Sequence, residues 1–276
     1  MSIAEHTPDG APARLVVPGP DTPPVGREID GHLAVLTMQL PPHNFLGPTL
    51  SAALLGGLQW AQDQGARAVL LQSGLRNFCA GADLDMFDTA YHSAAPEMDL
   101  VGLLRAFDAL PLPIVVAIHG TTVGGGLEIA LACDLIISSE SAKIGSVEAT
   151  IGMNPLMGAI QRVTERAGAA RAKEMALLAR RYDARTLERW NIINRVVPDE
   201  KLSEVSLTIA QELANGPTLA HASTKAIVSY AVSHGVAATD EAMHDLQADF
   251  WKSEDIKRGL ESLKDNGPGA ARFEGK

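Results

Sequence analysis

The chain has little cysteine, a deficit of positive charge and no long hydrophobic run. Its 276 residues include two cysteines, Cys79 and Cys133. That is too few for a disulfide framework or a cysteine zinc site, and it suits a reducing compartment. Lys and Arg number 23 against 33 Asp and Glu, a formal net charge of −10. A basic face for sequence-independent nucleic-acid binding is therefore not expected. An anionic ligand would need a local basic or backbone-amide site. No stretch of about 18 uncharged apolar residues is present to span a membrane. The most apolar region, Leu112 to Cys133, is broken by Pro113, His119, Gly120, the run Gly124 to Gly126, and Glu128. The N-terminal residues lack a basic segment followed by an apolar core, so no secretory signal is expected. The expected location is the cytoplasm, with neither a membrane nor a nucleic-acid partner.

What is present is a globular composition: 46% hydrophobic and 20% charged residues, near the average for folded domains. Residues 1–24 carry six prolines and read as a loosely attached tail, because proline resists both helix and central strand. Beyond it, His32 to Leu40 suits a strand stopped by Pro41 and Pro42. Leu50, Leu54, Leu58 and Ala61 share one helical face. Arg67 to Gln72, Ile114 to Ile118 and Leu135 to Ser138 read as buried strands, with a helix over Met98 to Leu110 between the first two. Alternating strands and helices predict an α/β fold with largely parallel pairing. From about Leu156 the pattern becomes helix after helix, clearest over Leu202 to Ala214, Leu219 to Ser233, Thr239 to Trp251 and Asp255 to Leu263. The divisions read from this are a tail (1–24), a core (25–200) and a helical C-terminal region (201–276).

Two carboxylates stand alone in apolar surroundings. Glu128 is the sole acid or strong base between Asp108 and Asp134, and Glu148 the sole one between Lys143 and Arg162. A carboxylate is rarely buried without partners, and burial lifts its pKa toward the range useful for proton transfer. Two such acids can serve as donor and acceptor; equally, each could be a hydrogen-bonded structural acid. Between them and the strand Ile114 to Ile118 lies GTTVGGGLEIA. It places Gly124, Gly125 and Gly126 at the start of a helix over Leu127 to Cys133, where backbone N–H groups lack partners and a ligand oxygen can approach closely. Such donors stabilise negative charge developing on a carbonyl oxygen. No Gly-Lys-Ser/Thr follows, which excludes a nucleotide-triphosphate loop, and no G-x-G-x-x-G is present. A tight helix–strand contact is the alternative. A third feature, Asn77 to Leu84 (NFCAGADL), follows a buried strand, where α/β folds commonly hold ligands.

Taken in order, Asn77 to Asp83, Pro113 to Gly120, Gly124 to Glu128, Cys133-Asp134, Gly145, Glu148, Gly152, Pro155, Gly158, Gln161-Arg162 and the ending Phe273 to Lys276 resemble the crotonase, or enoyl-CoA hydratase/isomerase, superfamily over roughly residues 27 to 276. The resemblance implies an α/β crotonase-like spiral of ββα units with a helical C-terminal trimerisation region, giving a homotrimer or a dimer of trimers. It implies an acyl-CoA thioester substrate of the kind met in fatty acid metabolism, with no cofactor beyond the substrate's own coenzyme A. The oxyanion donors would be the backbone N–H groups of Ala80 and Gly125. Glu128 and Glu148 match the hydratase acids, Glu128 activating water and Glu148 protonating the α-carbon. Substrate contacts are expected from Asn44, Phe78, Ala82, Asp83, Leu84, Gly124 and Leu156, with Leu84 to Ala95 lining the acyl pocket.

Three departures from the family pattern stand out. Ser146-Val147 replaces Gln-Pro, Leu156 replaces a glycine after Pro155, and the loop Pro41 to Asn44 is short and without lysine. Phosphate contacts would then fall elsewhere, with Arg76 as the candidate. The sequence thus points to an enoyl-CoA hydratase. An isomerase or another enolate-forming reaction is the first alternative, and a non-catalytic acyl-CoA binding protein the second. His43, His119 and Cys79 read as structural residues, and no cluster has metal-ligand spacing.

Overall fold

Strands that are apolar on both faces need a layer on each side, and that requirement organises the core. A computed structural model describes residue 19 and residues 21–86 and 99–276. Most of the proline-rich tail and most of the stretch Leu84 to Ala95 lie outside these residues.

Nine described strands form two sheets. The larger has the order β1 (Val25–Asp30), β2 (Leu33–Met38), β3 (Ala68–Ser73), β4 (Ile114–Ile118), β6 (Leu135–Ser139), β9 (Arg195–Val197). Only the β1–β2 pair is antiparallel; every other pair in this sheet is parallel. Residue alternation splits the two faces. Ala34, Leu36 and Met38 join the main core with Val69, Leu71, Val116 and Ile136. Leu33, Val35, Leu70, Val115 and Ile137 face the opposite way, under Ala210 and Ala214. The first helix, α1 (Pro48–Asp63), buries Leu50, Leu54, Leu58 and Ala61 as its spacing predicts, with proline in its first turn.

The smaller sheet joins β5 (Thr121–Val123), β7 (Lys143–Gly145) and β8 (Tyr182–Asp183). Two successive turns of the chain run a strand into the large sheet, a short strand into the small one, and then a helix. β4, β5 and α3 (Gly125–Leu131) make one such turn; β6, β7 and α4 (Ala159–Leu178, kinked at Gly168) make the next. The loop after β3 joins the same stack through an isolated Cys79–Thr122 bridge, and Leu46 bridges to Ala82. Helix α2 (Leu100–Ala109) precedes β4, and Asp99 caps it by accepting from the Gly102 N–H at 2.7 Å.

Two differences from the sequence reading concern short elements. The region after Leu156 is not purely helical: β8 and β9 interrupt it around α5 (Ala184–Arg189). Strands of two and three residues leave too little alternation to read. The helix expected over Thr239 to Trp251 is two, α8 (Val236–Leu246) and α9 (Ala248–Trp251), broken at Gln247. The other C-terminal helices are α6 (Leu202–Ala214), α7 (Thr218–His234) and α10 (Glu254–Asn266).

A buried charge clasp secures this C-terminal region. Arg67, 5% exposed, donates to Thr218 Oγ1 at 2.7 Å, to the Phe273 carbonyl at 3.1 Å and to the Gly216 carbonyl. Buried Asp255 accepts from the N–H groups of Glu274 at 2.8 Å and Gly275 at 2.7 Å. Removing the Arg67 side chain strands several acceptors, each worth about 1–3 kcal/mol when left unpaired. Arg67→Ala is thus expected to lower unfolding stability by about 2–5 kcal/mol. Urea denaturation reads the loss, and limited proteolysis should show faster cleavage within residues 254–276 than in the core.

Candidate active site

Close backbone packing sets the site. A Cβ at Gly126 would lie 2.4 Å from the Cys79 carbonyl oxygen, so only glycine lets α3 begin this close to the loop after β3. Gly124, at φ 52°, makes the sharp turn into the helix. Its N–H donates to the Gly145 carbonyl at 3.1 Å. The Gly125 N–H, one residue on, has no hydrogen-bond partner among the described residues, as befits the first turn of a helix.

The second proposed donor needs correcting. The Ala80 N–H donates to the His43 carbonyl at 3.1 Å, and an amide has one hydrogen to give. Two residues further, Leu46 bonds on either side of Ala82: its N–H donates to the Gly81 carbonyl and its carbonyl accepts from Asp83 N–H, both at 2.9 Å. The Ala82 N–H itself has no partner among the described residues. Ala82 and Gly125 both line a cavity of about 210 Å³. The free amide pair is therefore Ala82 and Gly125.

Both acids reach that cavity. Glu128, on α3, is 2% exposed. Its Oε1 accepts from three successive amides, Met157 at 2.8 Å, Gly158 at 2.9 Å and Ala159 at 3.1 Å, where α4 begins. Burial pushes Glu128 above the ordinary carboxylate range, while those amides and the Arg162 charge pull it back. Glu148 opens the 3₁₀ turn Glu148–Ile151 that follows β7. Both its oxygens are sealed from solvent and neither has a hydrogen-bond partner. Burial raises Glu148 to about 7; the Glu128 charge adds to the rise, and its own amide and that of Val147 offset it only in part. One carboxylate is thus held by a helix N-terminus, and the other, without a hydrogen-bond partner, holds its proton up to about pH 7.

The remaining site expectations divide. Gly124, Leu84 and Leu156 line the cavity, as does Ala80 through atoms other than its spent amide. Asn44, Phe78 and Asp83 do not. Asn44 is fully buried and bonds to the Leu40 N–H, Ser73 Oγ and the Phe78 carbonyl. Its side chain is consumed in bracing the loop. Phe78 is core. Asp83 accepts from the Asp85 N–H at 3.2 Å and braces its own loop. Met86 lines the cavity as expected for Leu84 to Ala95; the sequence reading missed Phe45, Ile151, Met153 and Met157 on the apolar wall, and missed the amide clasp on Glu128. Gly158 just before a helix start was the available signal for the clasp.

The residues set aside behave structurally. Burial pushes the Cys79 thiol up to about 12 and raises Cys133 as well. His119 Nε2 lies 2.8 Å from the Leu75 carbonyl, and His43 Nδ1 lies 3.1 Å from Asn77 Nδ2. Arg76 is exposed and in no ion pair among the described residues. Among the described residues there is no cluster fit to hold a metal ion, and no helix long and apolar enough to cross a membrane.

This fold and this site have known counterparts. The family model for enoyl-CoA hydratase/isomerase matches residues 28–273. A Rhizobium meliloti protein named "Probable enoyl-CoA hydratase" is 30% identical over 235 residues, covering 84% of this chain and 91% of its own. A Proteus mirabilis carnitinyl-CoA dehydratase is 38% identical over 165 residues, 58% of this chain and 62% of its own. The crystal structure of an enoyl-CoA hydratase from Bacillus anthracis superposes with a TM-score of 0.84 at 25% identity, covering 92% of this chain and all of that one. The chain belongs to the enoyl-CoA hydratase/isomerase family, has the crotonase fold, and is an enzyme of that family.

Because the raised Glu148 binds its proton more tightly when folded, the stability it contributes is full below its ordinary pKa of 4.5. That stability is lost as pH rises through about 7. Glu148→Gln, which never ionises, should therefore be more stable than wild type at about pH 8 and similar at about pH 5. Chemical denaturation at the two pH values checks this; an equal difference at both would remove the buried-acid assignment.

Proposed function

We propose that the protein hydrates a 2-enoyl-CoA thioester and, in reverse, dehydrates the 3-hydroxyacyl-CoA. The observation that carries this reading is the unpartnered, buried Glu148 carboxyl on the same cavity as Glu128 and the free amides of Ala82 and Gly125. The thioester oxygen sits between the two amides. Water attacks C3 as Glu128 accepts its proton, and the C2=C3 electrons move into an enolate held at that oxygen. The enolate collapses as C2 takes the proton from Glu148. Solvent exchange then returns Glu128 and Glu148 to their starting states. In dehydration the pair's proton sits on Glu128: Glu148, ionised, removes the C2 proton, and Glu128 gives its proton to the C3 hydroxyl as it leaves as water. An oxyanion donor of this kind is worth about 10²–10³ in rate, and a placed acid or base about 10²–10⁴.

A second reading, double-bond isomerisation with Glu148 alone carrying a proton between carbons, is favoured by one feature. Three amides hold Glu128 Oε1, which leaves Glu148 as the less restrained acid. Assembly into trimers through the C-terminal helices is supported by Val228, Val232, Val236 and Trp251, which are more than half exposed on the single chain. The cytoplasm is the location that suits this substrate class.

Glu148→Gln should lower kcat for hydration at least about 100-fold while thioester binding changes little. Glu128→Gln should abolish hydration to a similar degree and, under the isomerase reading, spare double-bond migration. Wild-type kcat/KM for hydration and for dehydration should fall together, about tenfold per pH unit above about 7, because both directions need the acid pair to hold one proton and the overall equilibrium takes up none. Full hydration by Glu148→Gln would sink the assignment.

A further inference from the structure

The acyl wall of this cavity contains large apolar side chains that the fold does not bury. Leu84 is 64% exposed, Ile151 58% and Leu156 39%, and all three line the same cavity. Isolated exposed leucines need no explanation, but a cluster around one concave site marks a surface awaiting an apolar partner. Among the described residues, the cavity's only ionisable side chains are Glu128 and Glu148.

Neither sign of charge on the acyl group suits such a site. A cation beside Glu148 would hold it ionised and remove the proton the reaction draws on. An anion would meet two acids in a low-dielectric pocket with no basic group opposite among the described residues. Within the wall, Met153 and Met157 are flexible thioethers that repack around different shapes. Leu156 is branched, and it is the least exposed of the three leucine and isoleucine side chains. The next residue's N–H is the 2.8 Å donor to Glu128. Leu156 thus stands where the acyl wall meets the acids.

We propose that the site takes an uncharged hydrocarbon acyl group and that Leu156 is the specificity-determining residue that limits its length. This rests on the enoyl-thioester reading, and its test separates the two. Wild-type kcat/KM would be measured on a straight-chain 2-enoyl-CoA series and on crotonobetainyl-CoA and glutaconyl-CoA. The uncharged series should be favoured at least about 100-fold over both charged substrates, in keeping with the cost of an unpaired charge in such a pocket. Leu156→Ala should raise the ratio of long-chain to short-chain kcat/KM about tenfold or more, and Leu156→Phe should lower it. Dissociation constants for saturated butyryl-CoA and decanoyl-CoA would be measured in parallel on all three proteins. A matching shift in binding without any turnover would keep the Leu156 assignment and overturn the hydratase reading. Turnover with chain-length ratios unchanged within about twofold in both variants, or equal use of a charged substrate, would overturn the inference and leave the hydratase reading standing.

Discussion

The contact between Gly126 and the Cys79 carbonyl is the constraint from which the site follows. Two backbone segments approach until a single methyl group would collide at 2.4 Å. One consequence is that the first turn of α3 faces the loop carrying Ala82 instead of solvent. Gly125 and Ala82 then line one cavity, and neither amide has a partner among the described residues. On the proposed reading, a pair of amides fixed by main-chain packing needs no reorganisation when a carbonyl oxygen gains charge. Side-chain donors at the same positions would bring rotamer freedom with them.

The same packing places Glu128 one turn further along α3, where it meets the first amides of α4. The two acids thereby acquire opposite environments from neighbouring elements. Glu128 sits on three N–H groups that favour its anion. Glu148 sits in a dry wall with no donor in bonding geometry, beside that anion. Burial raises both; three amides and the Arg162 charge offset it at Glu128, while at Glu148 only its own amide and that of Val147 do, so Glu148 keeps its proton up to about pH 7. On the proposed reading, the division of labour between base and acid is set by hydrogen-bond supply, since burial alone would treat the two alike.

The sequence displayed the parts of this arrangement that depend on composition over several residues. Buried strands announced themselves as apolar runs, α1 by its spacing, and the two acids by the absence of any other charge nearby. It did not display what depends on one hydrogen bond. Ala80 and Ala82 are the same residue type two positions apart, and only the carbonyl of His43, in a neighbouring loop well upstream of both, decides which amide is free. The family resemblance put Asn44 among the substrate contacts; its three internal bonds show that the loop consumes it. The strands β8 and β9 were invisible because their pairing is dictated by the sheet they join and not by local pattern.

One short segment, from Glu148 to Met157, supplies the unpartnered acid, part of the acyl wall and the first amide that holds the other acid. Specificity and proton chemistry are therefore not independent in this molecule. A change that opens the wall lets water reach Glu148, and hydration favours the ionised carboxylate. On the proposed reading, an acyl group that fills the wall does the reverse and keeps the acid protonated until C2 is in place to receive the proton. The substrate's hydrocarbon would then serve as packing for the active site as well as a handle for binding. An ill-fitting chain would accordingly lose rate at the chemical step as well as affinity, because binding energy spent on excluding water is realised only when the cavity is full.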